Sequence, residues 1–177
     1  PSIVVYTIFN EGWGQFESDK MYDIAKQLDP SRLYDSTSGW FAQKKNDFDS
    51  LHVYFGNLEP QPATRPMFIS EFGGCAYPVE DHIYAKYASY GYGNCKNADE
   101  VSEKVWAAYN TTILPVIEKG CCGAVYTQLS DVEDEINGLY TYDRYAIICV
   151  SYFLYCYIII IIITCINSGG YIIINGP

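Results

Sequence analysis

The chain has 177 residues, of which 11 are Lys or Arg and 21 are Asp or Glu, for a net charge of -10. That balance repels phosphate backbones and argues against nucleic acid as a partner, while neutral or cationic ligands remain compatible. The length suffices for one domain with a buried core, yet it falls short of the roughly 250 residues of a complete eight-stranded β/α barrel.

Residues 3–9 (IVVYTIF) are a continuous apolar, β-branched run of strand length, the pattern of a parallel strand covered on both faces. No basic leader precedes it, so the chain reads as starting inside a domain rather than behind a signal peptide. The run breaks at Asn10-Glu11-Gly12-Trp13-Gly14. Ser18 can then cap a helix through Leu28, with Met21, Ile24, Ala25 and Leu28 on one face and Pro30 beyond its end. Residues 32–36 (RLYDS) read as a second strand opening into Thr37-Ser38-Gly39-Trp40, and residues 51–55 (LHVYF) as a third, with a polar stretch and no helix between them. A fourth strand at 66–70 (PMFIS) is again cut off by a carboxylate and glycines, Glu71-Phe72-Gly73-Gly74. A helix is expected over 78–90 and a longer one from Asp99 to Lys119, bent by Pro115. Gly120 stops it before a fifth strand at 123–129 (GAVYTQL), and the acidic loop 130–137 follows.

After Arg144 the chain carries no charged side chain, so residues 1–144 and 145–177 differ in composition. Residues 145–166 are long and apolar enough to meet the length criterion for a membrane helix, but the isoleucine run Ile158–Ile163 is β-branched and suits an aggregation-prone strand as well. Whether this end belongs to the natural fold is left open, and any membrane association would have to run through it. The 7 cysteines show no framework spacing and read as reduced thiols of a cytoplasmic protein. With 2 histidines and no Cys-x-x-Cys pair, a structural zinc site is not expected. The sequon Asn110-Thr111-Thr112 falls inside the longer helix and carries little weight. The acidic residues Asp131, Glu133, Asp134 and Glu135 do not follow the spacing of a calcium loop and read as a solvated rim, so no metal and no cofactor is assigned.

Strands alternating with helices argue for right-handed crossovers and a parallel sheet or barrel, in which chemistry collects at the carboxyl ends of the strands. Glu11 and Glu71 both stand at such ends. Two carboxylates there suit cleavage of a glycosidic bond: one protonates the departing oxygen while the other meets the positive charge building on the sugar ring. Either residue alone would more often be a helix cap or a solvated side chain. The pair gains weight from Asn10 and Trp13 beside the first and the two glycines after the second.

Five blocks in order, PSIVVYTIFNEGWG at 1–14, RLYDSTSGW at 32–40, DSLHVYFGN at 49–57, RPMFISEFGG at 65–74 and GAVYTQLSDVEDEINGLYTYDR at 123–144, resemble the catalytic barrel of glycoside hydrolase family 2. That family comprises β-galactosidases, β-glucuronidases and β-mannosidases. The resemblance implies that the five strands are the fourth to eighth of a (β/α)₈ TIM barrel. The earlier strands and the preceding β-sandwich domains would then lie outside this chain, and the isolated chain would have negligible activity. It implies retaining hydrolysis of a β-glycoside by double displacement, with Glu11 as general acid/base and Glu71 as nucleophile, their carboxyl groups about 5–5.5 Å apart. Asn10 matches the residue that holds the sugar 2-hydroxyl, and Tyr54 an aromatic that hydrogen-bonds the nucleophile.

His52 alternates with Tyr54 on one strand face and is a weaker substrate-binding candidate, since a strand histidine is more often a satisfied core residue. Trp13, Trp40 and Tyr126 could supply flat apolar floors for a pyranose, with core packing as the equal alternative. Many relatives carry Trp where this chain has Tyr126. The Asn-x-Lys pair by which β-glucuronidases grip a carboxylate sugar is not evident, which disfavours a glucuronide. Two other readings stand beside this one. An endo-acting mannanase or glucanase would commonly continue the Asn-Glu pair with Pro, where this chain has Gly12-Trp13. A non-catalytic carbohydrate-binding or membrane-tethered protein would account for the apolar end.

Overall fold

The computed structural model describes residues 3–56, 58, 59 and 64–149, together with the backbone of 162–164 and 171–173. Strand β1 (Val5–Asn10) leads through helix α1 (Ser18–Leu28) to β2 (Leu33–Ser38), and β3 (Asp49–Val53) and β4 (Met67–Phe72) follow. Helix α2 (Ala98–Ala108), a π-helical turn (Tyr109–Ile113) and the short α3 (Leu114–Ile117) then lead to β5 (Cys121–Tyr126). Near the end, β6 (Ile162–Thr164) and β7 (Tyr171–Ile173) pair antiparallel.

Local chemistry accounts for the helices. Asp19 in the first turn of α1 and Lys26 in the last oppose the helix dipole favourably. Ser18, expected as its cap, is instead the first helical residue, and its hydroxyl accepts from Gln15 Nε2 at 3.1 Å. Asn97 caps α2, accepting from the Glu100 amide at 2.8 Å, while the Glu100 carboxylate accepts from the Lys96 amide at 2.8 Å. The bend expected at Pro115 takes the form of the π turn immediately before it, because Pro115 has no N–H to offer the Thr111 carbonyl. The helix expected over 78–90 does not form. Short turns close there instead, His82 N donating to the Val79 carbonyl and Ala88 N to the Ala85 carbonyl, and at the segment's end the Tyr90 amide donates to the Asp134 carbonyl and the Ile136 amide to the Tyr90 carbonyl, both at 3.0 Å.

The expected partial TIM barrel is not what the chain builds. β1 and β2 form one two-stranded parallel sheet, and β3, β4 and β5 a separate three-stranded parallel sheet. Among the described residues, helical crossovers join only β1 to β2 and β4 to β5. The ladder stops at β2 because side chains occupy the amides that a neighbouring strand would use. Tyr34 N donates to Asp47 Oδ2 at 2.7 Å, Ser36 N to Asn46 Oδ1 at 3.3 Å and Gly39 N to Ser50 Oγ at 3.2 Å. The two sheets therefore meet through side chains. Asp35, fully buried, accepts from Asn46 Nδ2 at 3.0 Å and from Ser50 Oγ at 2.6 Å, and Ser50 Oγ lies 2.7 Å from Ser70 Oγ on β4.

The main apolar core lies on the three-stranded sheet, where Met67, Ile69, Phe72, Cys121 and Ala124 pack on Ile113 and Val116. A second cluster joins Val101 and Val105 of α2 to Leu139, Ile148 and Cys149, so the described start of the uncharged end lies against the body. Cys75 and Cys95 in that cluster form a disulfide, which corrects the expectation of unpaired thiols. Among the described residues no helix is long and apolar enough to cross a membrane, and most of the 145–166 run lies outside them.

Candidate active site

Glu11 follows the last residue of β1. Its amide continues the strand pairing by donating to the Ser38 carbonyl at 2.9 Å, and its φ of 51° turns the chain out of the sheet. Glu71 lies in β4 opposite His52 of β3, just past a register shift between Leu51 and His52 that re-aims the side chains. These placements bring three groups together. His52 Nδ1 stands 2.6 Å from Glu11 Oε1 and 3.5 Å from Glu71 Oε2, and the ligating atoms of all three residues lie within 4.8 Å of one another. The imidazole is 0% exposed, and the Glu11 and Glu71 side chains are 19% and 24% exposed, so the carboxylates face an opening over a buried ring.

Supporting contacts hold each member. His52 Nε2 lies 2.8 Å from the buried Ser38 hydroxyl, so with Nδ1–H donating to Glu11 the ring accepts from Ser38. Gly39, at φ +79°, leaves the ring its space: a Cβ there would stand 2.8 Å from His52. The Tyr54 hydroxyl donates to Glu71 Oε2, and its ring stacks on Tyr92 with centroids 3.4 Å apart. Burial first, then the hydrogen bond to Glu71, push the Tyr54 phenol well above its ordinary value, so it remains a donor. Glu135 also faces the pair. Burial and then the Glu71 carboxylate raise it above the ordinary range, partly opposed by the hydrogen bond from Gln128.

The remaining candidates separate. Trp40 sits beside the cluster, its ring centroid 5.5 Å from that of His52. Trp13 is 80% exposed and borders an open cleft of about 880 Å³ beside Glu11, with Phe16 and Phe41 as further lining rings. Asn10 is exposed next to Glu11, and its carbonyl accepts from the Trp13 amide at 3.0 Å. Tyr126 instead packs edge-on to Phe72 at 5.5 Å and against Gly73, as part of the core rather than as a sugar floor. Burial raises its phenol to about 12. The acidic loop is not uniformly a solvated rim either: Asp131 is fully buried and accepts from the Gly138 amide at 2.8 Å.

Ser38, Tyr92 and Glu135 join the site without having been singled out for it. Ser38 and Tyr92 had no local signal, since a serine ending a strand and a tyrosine in a loop are ordinary. Glu135 stood in the acidic run, but nothing in its spacing distinguished it from Glu133 or Asp134, which are exposed. Compared with known proteins, the chain matches no family model and no curated protein.

Proposed function

We propose that this chain carries the catalytic pair of a retaining β-glycoside hydrolase, of the kind implied by its resemblance to glycoside hydrolase family 2. The observation that carries the reading is the approach of Glu11 and Glu71 to within 4.8 Å at their nearest ligating oxygens, with Tyr54 donating to Glu71. Such an approach suits a direct nucleophile rather than the roughly 6.5–9.5 Å that leaves room for an intervening water in an inverting enzyme.

In the first step a Glu71 oxygen attacks the anomeric carbon. The bond from that carbon to the glycosidic oxygen breaks as Glu11 gives the departing oxygen its proton. In the second, Glu11 takes a proton from water, whose oxygen attacks the same carbon and releases Glu71. His52 positions Glu11 through Nδ1, and the Tyr54 donor stabilises Glu71 whenever it is a carboxylate. The cleft beside Glu11 is placed for the departing group, because it lies on the side of the proton donor and presents Trp13, Phe16 and Phe41.

One slow turnover suffices as a test, even in a chain whose steady-state activity is negligible. A 2-fluoro-β-glycoside with a dinitrophenyl leaving group should label the 177-residue chain covalently on Glu71, read as a mass shift of the intact protein and mapped by peptide analysis. Glu71→Gln should abolish labelling. Glu11→Gln should slow cleavage of glycosides with poor leaving groups about 10²–10⁴-fold and that of dinitrophenyl glycosides far less. Labelling at another residue, or none, would reject the assignment.

A further inference from the structure

We propose that Glu11, His52 and Glu71 form a binding site for a divalent zinc ion, which would hold the catalytic pair in an inactive state. The ion-binding part stands on geometry alone, and the inhibitory part rests on the hydrolase reading. Zn²⁺ takes imidazole nitrogen and carboxylate oxygen at about 2.0–2.2 Å, so tetrahedral ligands around it lie about 3.3 Å apart. The His52 Nδ1 distances to Glu11 Oε1 and Glu71 Oε2, 2.6 and 3.5 Å, bracket that spacing. The third separation is within 4.8 Å, a gap that small rotations of two part-exposed carboxylates close.

Two further features favour a dication. Among the described residues no Lys or Arg pairs with either carboxylate, so two negative groups share one imidazole in a chain of net charge -10. The ring also has the outer partner that a ligating histidine needs. When Nδ1 carries the metal, Nε2–H donates to the Ser38 hydroxyl 2.8 Å away, fixing tautomer and orientation. Three protein ligands leave the fourth position to water on the exposed side, the arrangement of an accessible rather than a closed zinc site. With both carboxylates ligating, neither can attack a sugar or protonate its leaving group.

Zinc chloride titrated calorimetrically into the full chain should show one ion bound per chain. Glu71→Gln should weaken binding at least tenfold and Ser38→Ala about 10–100-fold, as loss of an outer-shell partner does elsewhere. Cobalt(II) at the same site should give a visible spectrum without a thiolate charge-transfer band, separating these ligands from the cysteines. No saturable binding, a thiolate band, or unchanged affinity in a folded Glu71→Gln protein would overturn the proposal. Should that variant not fold, unchanged affinity in Ser38→Ala would do so. Covalent labelling of Glu71 in metal-free protein tests the hydrolase reading separately. If labelling occurs, equimolar zinc should slow it at least tenfold, and an unchanged rate would refute the inhibitory role while the calorimetry still judges the site.

Discussion

The two parallel sheets are built to different standards, although each places one carboxylate at a strand end. Around β4 and β5 the apolar side chains are sealed, with Ile69 and Phe72 both 0% exposed and Ile113 of the π-helical turn and Val116 of α3 packed against them. Around β1 and α1 apolar side chains stand open: Tyr6 and Ile24 are exposed, and Leu28 is 81% exposed. Glu71 therefore projects from a rigid, buried strand, whereas Glu11 projects from the margin of a thinly covered pair. Their spacing depends on the polar seam of Asp35, Asn46, Ser50 and Ser70 that joins the sheets. The contrast teaches that two carboxylates can be brought together across an interrupted sheet, provided that buried hydrogen bonds replace the missing ladder.

The largest expected effect tests the sealed side. Ile69→Ala removes a fully buried side chain from the centre of that core and should destabilise the protein by about 2–5 kcal/mol in urea unfolding. A loss below about 1 kcal/mol would mean that this sheet is no better supported than the other.

A pH experiment probes the loop packed on the same side. Burial lifts Asp131 from 3.8 to about 6, against the opposing hydrogen bond from the Gly138 amide. A raised folded-state value means that folding favours the neutral acid. The associated stability is complete below about pH 4 and is lost as the pH rises through about 6, on the order of 2–3 kcal/mol. Asp131→Asn should lack that component, so the difference in unfolding free energy between the two proteins should change across this window. Parallel pH profiles would place Asp131 in contact with water.

The smallest effect tests the open side. Leu28→Ala should change stability by no more than about 0.5 kcal/mol, since little apolar area leaves water there on folding. A loss like that at Ile69 would show that α1 is covered in solution, by another copy of the chain for example, and a concentration-dependent unfolding midpoint would identify that case.

Much of the local structure was legible in the sequence. The five apolar runs became β1 to β5, displaced by one to a few residues at their ends, and the 18–28 periodicity became α1. The apolar period nominates such elements, although in α1 the Ile24 and Leu28 stripe that it marks stays exposed. The punctuation Asn10-Glu11-Gly12 and Glu71-Phe72-Gly73 likewise marked the two carboxylates by position alone. Other features were legible only in the folded chain. Asn46, Asp47 and Ser50 take amides of β2 or the residue just beyond it, which breaks one sheet into two, and no local periodicity encodes a side chain that competes with a strand. The 78–90 segment forms short turns in place of a helix, and its last residue, Tyr90, pairs with residues over forty positions away. His52 became the link between Glu11 and Glu71 because a register shift and a glycine 13 positions earlier leave room for its ring. Composition and period act over a few residues, whereas pairing, burial of polar groups and the convergence of charges depend on which distant segments the collapse brings into contact. That is why the sequence could nominate the two acids and the tertiary structure had to decide what stands between them.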